Sequence, residues 1–89
     1  PEPNVQWGAA VSLARLGDLG GREILGKMLD REYWSRFPRV DDKEQNDLIL
    51  MAIEASGFLR DSRLDEKIAH LGENDPNAKI RLAALEVHK

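Results

Sequence analysis

Apolar residues recur at helical spacing along almost the whole chain, and no stretch keeps the alternation that is typical of a strand. The first segment is apolar on most sides, with one face formed by Val5, Ala9, Leu13 and Leu16 and the adjoining positions filled by Trp7, Ala10, Val11 and Ala14. Because only a narrow polar strip remains, we expect this helix to pack on more than one side. The pattern predicts an all-α protein of about five helices.

Turn and capping signals divide the chain into helical units. Gly17 suits the position after a helix end, Asp18 can cap the next helix, and Asp61 repeats that role later. Asp75-Pro76 predicts a fifth helix with Asp as its cap and Pro at its first position. The predicted units are a helix pair over 4–29, a connection over 30–42, a second pair over 43–73 and a half repeat over 75–89.

The units repeat. Placing Asp18 on Asp61 also aligns Val5, Ala9 and Leu16 with Leu48, Ala52 and Leu59, and the fifth helix fits the same template with Ile80, Ala83 and Ala84 on Val5, Gly8 and Ala9. The step from the third helix to the fifth is shorter than the step from the first to the third. This difference indicates that the 30–42 connection is an insertion into a repeat of about thirty residues.

The repeating units resemble HEAT-like repeats of the PBS-lyase type. That family places Asp-Pro before its first helix, followed by Val-Arg, small residues, Leu, and Gly-Asp at the corner; here DPNAKIRLAA begins at Asp75, with Ile80-Arg81 in the Val-Arg position. In the first unit Glu2 stands for Asp, and in the second Arg60 stands for Gly. The resemblance covers nearly the whole chain and implies a right-handed α-solenoid of helical hairpins.

Helices in such a stack need neighbours on both sides. Small residues, namely Gly8, Ala9 and Ala52, are expected to let adjacent helices approach closely. The doubly apolar stretches at 7–11 and 82–85 predict contacts beyond this chain, with further repeats of a parent protein or with a second copy. Because the chain begins with Pro1, we expect a single segment, 1–89, excised from a longer solenoid.

Composition narrows the chemistry. The chain has 89 residues with a formal net charge of −3, which argues against a general nucleic-acid binder. It has no Cys, so it has neither disulfides nor a thiolate zinc site. Neither His70 nor His88 is followed by Glu, unlike the paired His-Glu steps of HEAT-like hydroxylases, and none of the four serines has a recognisable base nearby. We therefore expect no catalytic residue, metal or cofactor, and no enzyme.

The same sequence carries no apolar run near the roughly 20 residues of a membrane span and no signal-peptide pattern at its start. The lack of Cys also removes one reason to expect a secreted protein. We expect a cytoplasmic protein without a membrane partner.

Two candidate binding surfaces remain. In HEAT-like stacks the second helix of each pair lines the concave side, so the resemblance places Arg22, Glu23, Lys27, Arg63, Lys67 and His70 there. The insertion mixes aromatic and basic residues, namely Tyr33, Trp34, Arg36, Phe37 and Arg39. The competing interpretations are a plain solvated helix face and, in the insertion, Trp34 and Phe37 folded onto the helices with the arginines in water. We favour the latter for the insertion, because three carboxylates dilute its charge.

From these surfaces the predicted partner-binding residues are Arg22, Lys27, Tyr33, Trp34, Arg36, Arg63, Lys67 and His70. Their mixed charges predict a protein or peptide partner of complementary charge. We expect a non-catalytic protein–protein interaction or scaffolding module. The alternatives that the resemblance implies are a glycosylase-like domain that binds nucleic acid and part of a HEAT-like lyase for a bilin chromophore.

Overall fold

In a computed structural model, which describes residues 2–87, the chain folds into α-helices joined by short turns and contains no strand within that range. The helices are α1 Pro3–Arg15, α2 Arg22–Met28, α3 Arg31–Trp34, α4 Asp42–Ser56, α5 Ser62–Asn74 and α6 Ala78–Val87, with a 3-10 turn at Leu19–Gly21. The all-α prediction is confirmed. The described residues hold one helix more than the five predicted, because α3 forms inside the 30–42 connection.

Aspartates shape the corners as predicted. The Asp18 carboxylate accepts a hydrogen bond from the Gly20 N–H at 2.7 Å, just after Gly17 adopts a φ of +77°. The Asp61 carboxylate accepts from the N–H groups of Arg63 and Leu64 at 2.9 and 3.2 Å, which caps α5. Arg60 can replace glycine at this second corner, because no described residue other than glycine has a positive φ.

The start of α6 differs from the prediction. Asp75 does not cap the helix and Pro76 does not begin it, since α6 starts at Ala78. The Asp75 carboxylate instead accepts from the Asn77 N–H at 2.9 Å, and the Asn77 side chain accepts from the Ile80 N–H at 3.1 Å. This relay of two short polar side chains moves the helix start two residues along the chain.

Helices α4 and α6 each pack against two helices that precede them in the chain. Helix α4 packs against both α1 and α2, and α6 packs in the same way against both α4 and α5, while α2 also contacts α5. The fully buried side chains lie between these helices and include Leu25, Met28, Ile49, Ile53, Ile68 and Ile80. Helix α4 therefore lies between α1 and α6, and it is buried on two sides.

Helix α1 buries a different face from the one predicted to carry the main apolar stripe. Its buried residues are Trp7, Ala10, Val11 and Ala14, whereas Val5 is 65% and Leu16 83% exposed. The prediction that stretch 7–11 is an open apolar side is thus wrong. A helix that is apolar on most sides gives no local signal for which face meets its neighbour.

The glycine that lies closest to a neighbouring helix is Gly21, and not the predicted Gly8. Gly8 and Ala9 are exposed, and a Cβ built on Gly8 meets nothing within 4 Å, so their predicted role as helix-contact residues is wrong within this chain. Ala52 is buried as predicted. A Cβ on Gly21 would lie 2.6 Å from the Cα of Ala10, so the 3-10 turn presses backbone against backbone on α1.

These two glycines should respond oppositely to alanine. Gly8→Ala should raise the free energy of unfolding by about 0.5–1 kcal/mol, because alanine lowers the entropy cost of an exposed helix position. Gly21→Ala should lower it by about 1–3 kcal/mol through overpacking. Chemical denaturation of both variants provides the measurement. A stable Gly21→Ala protein would contradict the close contact with α1.

A buried ion pair fastens the insertion to the far end of the chain. The Arg31 guanidinium donates to both oxygens of Asp75, from Nε and Nη2 at 2.8 Å each, and the Asp75 side chain is only 1% exposed. The same guanidinium donates to the side-chain oxygens of Gln45 at 2.6 Å and Asn46 at 2.8 Å. Arg81 donates to the Asp75 carbonyl at 2.6 Å. Arg31 therefore links α3, the first turn of α4 and the α5–α6 turn.

The ion pair with Arg31 affects the pKa of Asp75. Burial alone would raise the pKa of Asp75, but the hydrogen bonds from Arg31 and the Asn77 N–H, together with the charges of Arg31 and Arg81, hold that pKa below its ordinary value. A depressed pKa in the folded state means that the ionised carboxylate favours folding. This contribution is complete above the unfolded pKa, about 3.9, and is lost as the pH falls through the lower folded value.

Asp75→Asn should therefore lower the free energy of unfolding at pH 7 by about 3 kcal/mol, because it leaves the Arg31 charge without its counter-ion. This loss should become smaller below about pH 4, where protonation of Asp75 removes the carboxylate charge from the natural chain as well. Urea titrations at several pH values measure both effects. Glu54→Gln is the control: it removes the exposed Arg15–Glu54 pair at 3.5 Å and should cost less than about 0.5 kcal/mol. An equal, pH-independent loss in both variants would contradict the role given to Asp75.

Candidate binding groove

The insertion folds back onto the helices through its aromatic residues. Trp34 is 1% exposed, and its indole Nε1 donates to the Met28 carbonyl at 2.9 Å. Its ring lies 4.8 Å from that of Trp7 and 6.1 Å from that of Phe37, measured between centroids. Arg36 and Arg39 stay exposed. The favoured interpretation of the insertion is confirmed, and the prediction that Trp34 contacts a partner is wrong because its ring lies in the core.

This docking places α3 along the edge of α2 and opens a groove beside α5. We call it the α2–α5 groove, an open depression of about 750 Å³. Its polar lining consists of Arg22, Glu23, Lys27, Asp30, Glu32, Tyr33, Ser35, Arg36, Asp61, Arg63 and Lys67. Six of the eight residues predicted to bind a partner therefore line one groove, although the prediction placed them on two separate surfaces.

One wall of the groove is fixed by an ion pair. The Arg22 Nη1 donates to Asp61 Oδ2 at 3.1 Å, which ties the start of α2 to the cap of α5. The Leu64 N–H lowers the pKa of Asp61, burial opposes this, and the Arg63 N–H and the Arg22 guanidinium add to the lowering. The net pKa lies below the ordinary value, so this carboxylate stays ionised and remains engaged within the wall.

Gly26 shapes the floor between the two helices. A Cβ built on it would lie 3.6 Å from Cε of Lys67 and 3.8 Å from a methyl group of Leu64. The aliphatic part of the Lys67 side chain thus runs across α2 at the glycine, and this residue lines the groove. Sequence reasoning missed Gly26, because a glycine inside a helical pattern gives no sign of what crosses it.

Tyr33 joins the groove to the aromatic cluster. Its hydroxyl oxygen accepts a hydrogen bond from Nε1 of Trp7 at 3.0 Å, and its ring packs 5.2 Å from that of Trp34 and 5.0 Å from that of Phe37. The residue is half-buried and lines the groove. Its position is therefore set by α1 and the insertion together.

His70 lies outside this groove, in an adjoining depression of about 570 Å³ that shares Asp30, Glu32 and Lys67 with it. Its Nδ1 is 3.2 Å from the Asn74 amide nitrogen, one helical turn further along α5. The structure thus places His70 beside the predicted set and pairs it with an amide. His88 lies outside the described residues.

Sequence reasoning also missed Asp30, Glu32 and Ser35, which complete the groove on the insertion side. A local signal existed for them. The Asp30 carboxylate accepts from the Glu32 N–H at 2.9 Å, and Ser35 Oγ donates to the Glu32 carbonyl at 2.7 Å. An Asp followed by good helix formers is the pattern of a helix start, and it indicates α3 within the stretch predicted to be a connection.

Two other kinds of site, a metal site and a serine nucleophile, have little structural support within residues 2–87. No three His, Asp or Glu side chains in that range lie close enough to hold a metal ion. Of the serines, Ser56 is buried in α4, and its hydroxyl has no hydrogen-bond partner among the described residues. In the part of the chain that the structure describes, no helix has the length and apolar character required to cross a membrane.

Comparison with known proteins gives no relative: no family model, no curated protein and no solved structure matches the chain. Any proposal for its function rests on the geometry of its own residues.

Proposed function

We propose that this chain is a segment of a right-handed α-solenoid of HEAT-like helical pairs and that it works as a non-catalytic module for protein binding. The repeated packing supports this proposal, because α4 packs against the pair α1 and α2, and α6 packs in the same way against the pair α4 and α5. Stacking of this kind buries a continuous core and leaves open the surface formed by the second helix of each pair, here α2 and α5. The α2–α5 groove lies on that surface.

The observation that carries the proposal is the mixed charge of the groove. Its lining includes the basic residues Arg22, Lys27, Arg36, Arg63 and Lys67 and the acidic residues Glu23, Asp30, Glu32 and Asp61. A duplex or single strand of nucleic acid presents phosphates at every step, and it would meet the exposed carboxylates of Glu23, Asp30 and Glu32 as well as the cations. A protein segment can place charges of both signs, so a groove of mixed charge favours a protein partner.

A peptide library selected on the immobilised chain tests this proposal. The selected peptides should bind in solution, and Arg63→Ala combined with Lys67→Ala should weaken them about tenfold or more, because both side chains line the groove. Isothermal titration calorimetry measures the affinities. Arg15→Ala is the matched control, since Arg15 is an exposed α1 residue outside the groove, and it should leave binding unchanged.

Two results would overturn the proposal. The first is a set of peptides that bind the groove variant as well as the natural chain. The second is tighter binding of a thymidine oligonucleotide or a DNA duplex than of any selected peptide at the same salt concentration, which would favour the nucleic-acid alternative.

Scaffolding is supported by the two outer faces of the stack. On α1 the outward residues Val5 and Ala9 align with Ile80 and Ala84 of α6, which are buried inside the chain. On α6 the outward residues Leu82 and Leu85, 59% and 57% exposed, align with Trp7 and Ala10 of α1, which are buried. The outward face of α1 therefore corresponds to positions that are buried in α6, and the outward face of α6 corresponds to positions that are buried in α1.

We infer that a helix of the same pattern covers these ends, supplied in the isolated chain by a second copy in head-to-tail contact. Sedimentation of the 89-residue chain should then show concentration-dependent association. Leu85→Lys should abolish it, because the charge would enter an apolar contact. Lys79→Ala, an exposed change on the same helix, serves as the control. A chain that stays monomeric at millimolar concentration would contradict this inference.

A further inference from the structure

The α2–α5 groove holds more free positive charge than free negative charge. Within it Arg22 is already paired with Asp61. Among the described residues no carboxylate lies within ion-pair distance of the remaining cations, which are Lys27, Arg36, Arg63 and Lys67. The Asp61 carboxylate is buried and engaged by Arg22, so Glu23, Asp30 and Glu32 are the acidic side chains of the groove that are exposed to solvent. An incoming segment would therefore find four unpaired cations to satisfy and three carboxylates to avoid.

Tyr33 adds a directed donor to this groove. A phenol oxygen that accepts a hydrogen bond keeps its own proton for donation. The Tyr33 oxygen accepts from Trp7, and no described residue accepts the Tyr33 proton. Arg36, three residues after Tyr33 in the insertion, is exposed and lines the same groove. A phenol O–H and a guanidinium from residues that line one groove are suited to a carboxylate ligand, because both are hydrogen-bond donors and a carboxylate is an acceptor.

We propose that the groove binds an acidic peptide segment, one carboxylate of which accepts the Tyr33 O–H and pairs with Arg36. This inference rests on the proposed function and specifies the partner. Peptide carboxylates can be spaced so that they meet the cations and miss Glu23, Asp30 and Glu32. The chain as a whole has a net charge of −3, so the attraction must come from the groove itself and should weaken as salt is added.

The two tryptophans allow a direct test. The indole N–H of Trp7 donates to Tyr33, and that of Trp34 donates to the buried Met28 carbonyl. The chain has only these two, so a nitrogen–proton NMR spectrum of the labelled protein shows two indole signals. A capped peptide of alternating glutamate and glycine should shift the Trp7 signal, because engaging the Tyr33 proton changes the acceptor of Trp7. The Trp34 signal should stay in place. The same peptide with glutamine for glutamate should move neither.

Variants separate recognition from folding. Arg36→Gln should weaken the glutamate peptide about tenfold, as expected for a lost hydrogen bond to a charged group. Arg39→Gln is the matched control, since Arg39 is an exposed residue of the same insertion that does not line the groove. Tyr33→Phe should weaken the peptide similarly while the Trp34 signal is retained. If Tyr33→Phe unfolds the chain, Arg36→Gln still decides the question.

The outcomes distinguish this inference from the proposed function. Library peptides that bind the groove but are not acidic, or an acidic peptide whose binding leaves the Trp7 signal unmoved, would overturn the acidic-segment proposal and leave the protein-binding proposal standing. Equal affinity for the glutamate and glutamine peptides would do the same. If no peptide of any composition binds, both proposals fail.

Discussion

The pairing of Arg31 with Asp75 is the contact on which the shape of this molecule depends. A carboxylate as deeply buried as that of Asp75 is costly unless it meets a counter-ion and further donors. Arg31 supplies both oxygens with hydrogen bonds and then reaches Gln45 and Asn46 with the rest of its guanidinium. One planar side chain therefore holds the insertion, α4 and the α5–α6 turn in a single arrangement. Lysine could not do this, since its ammonium lacks the fork that meets two oxygens at once.

The groove follows from that arrangement. Arg31 and the burial of Trp34 beside Trp7 together hold α3 against α2. Tyr33 and Arg36 then lie along the groove edge. The insertion could otherwise be a solvated loop, because its composition is polar and Pro38 prevents a long helix. Binding surface and stability are thus coupled, because the ion pair and the buried Trp34 hold the same segment that contributes Tyr33 and Arg36 to the groove.

Sequence reasoning reached the parts of this fold that local chemistry decides. The helical class and the corners at Asp18 and Asp61 depend on neighbours within a few residues, and they were predictable. The Arg31–Asp75 pair joins residues far apart in the chain, and nothing near Arg31 distinguishes it from a solvated arginine. The buried face of α1 was missed for a related reason. When a helix is apolar on most sides, the choice of face is made by the neighbouring helices.

The candidate site was predictable to a similar degree. The cations of α2 and α5 followed from the HEAT-like resemblance, and Tyr33 and Arg36 followed from the composition of the insertion. That both sets line one groove required the fold.

The carboxylates in the groove explain how an acidic chain can present a basic surface. Asp30 and Asp61 lie in the groove wall, but each also accepts the free N–H groups at the start of a helix. Asp61 in addition holds Arg22. Asp61 is buried and caps the 13-residue α5, so its charge is partly neutralised by that helix and counts little toward an incoming ligand, whereas Asp30 is exposed and caps only the four-residue α3. Of the basic residues that line the groove, Arg22 is held in an ion pair, whereas Lys27, Arg36, Arg63 and Lys67 are exposed and have no ion pair among the described residues. Formal net charge is therefore a poor guide to this surface, because folding withdraws some of the negative charge and leaves most of the positive charge in place.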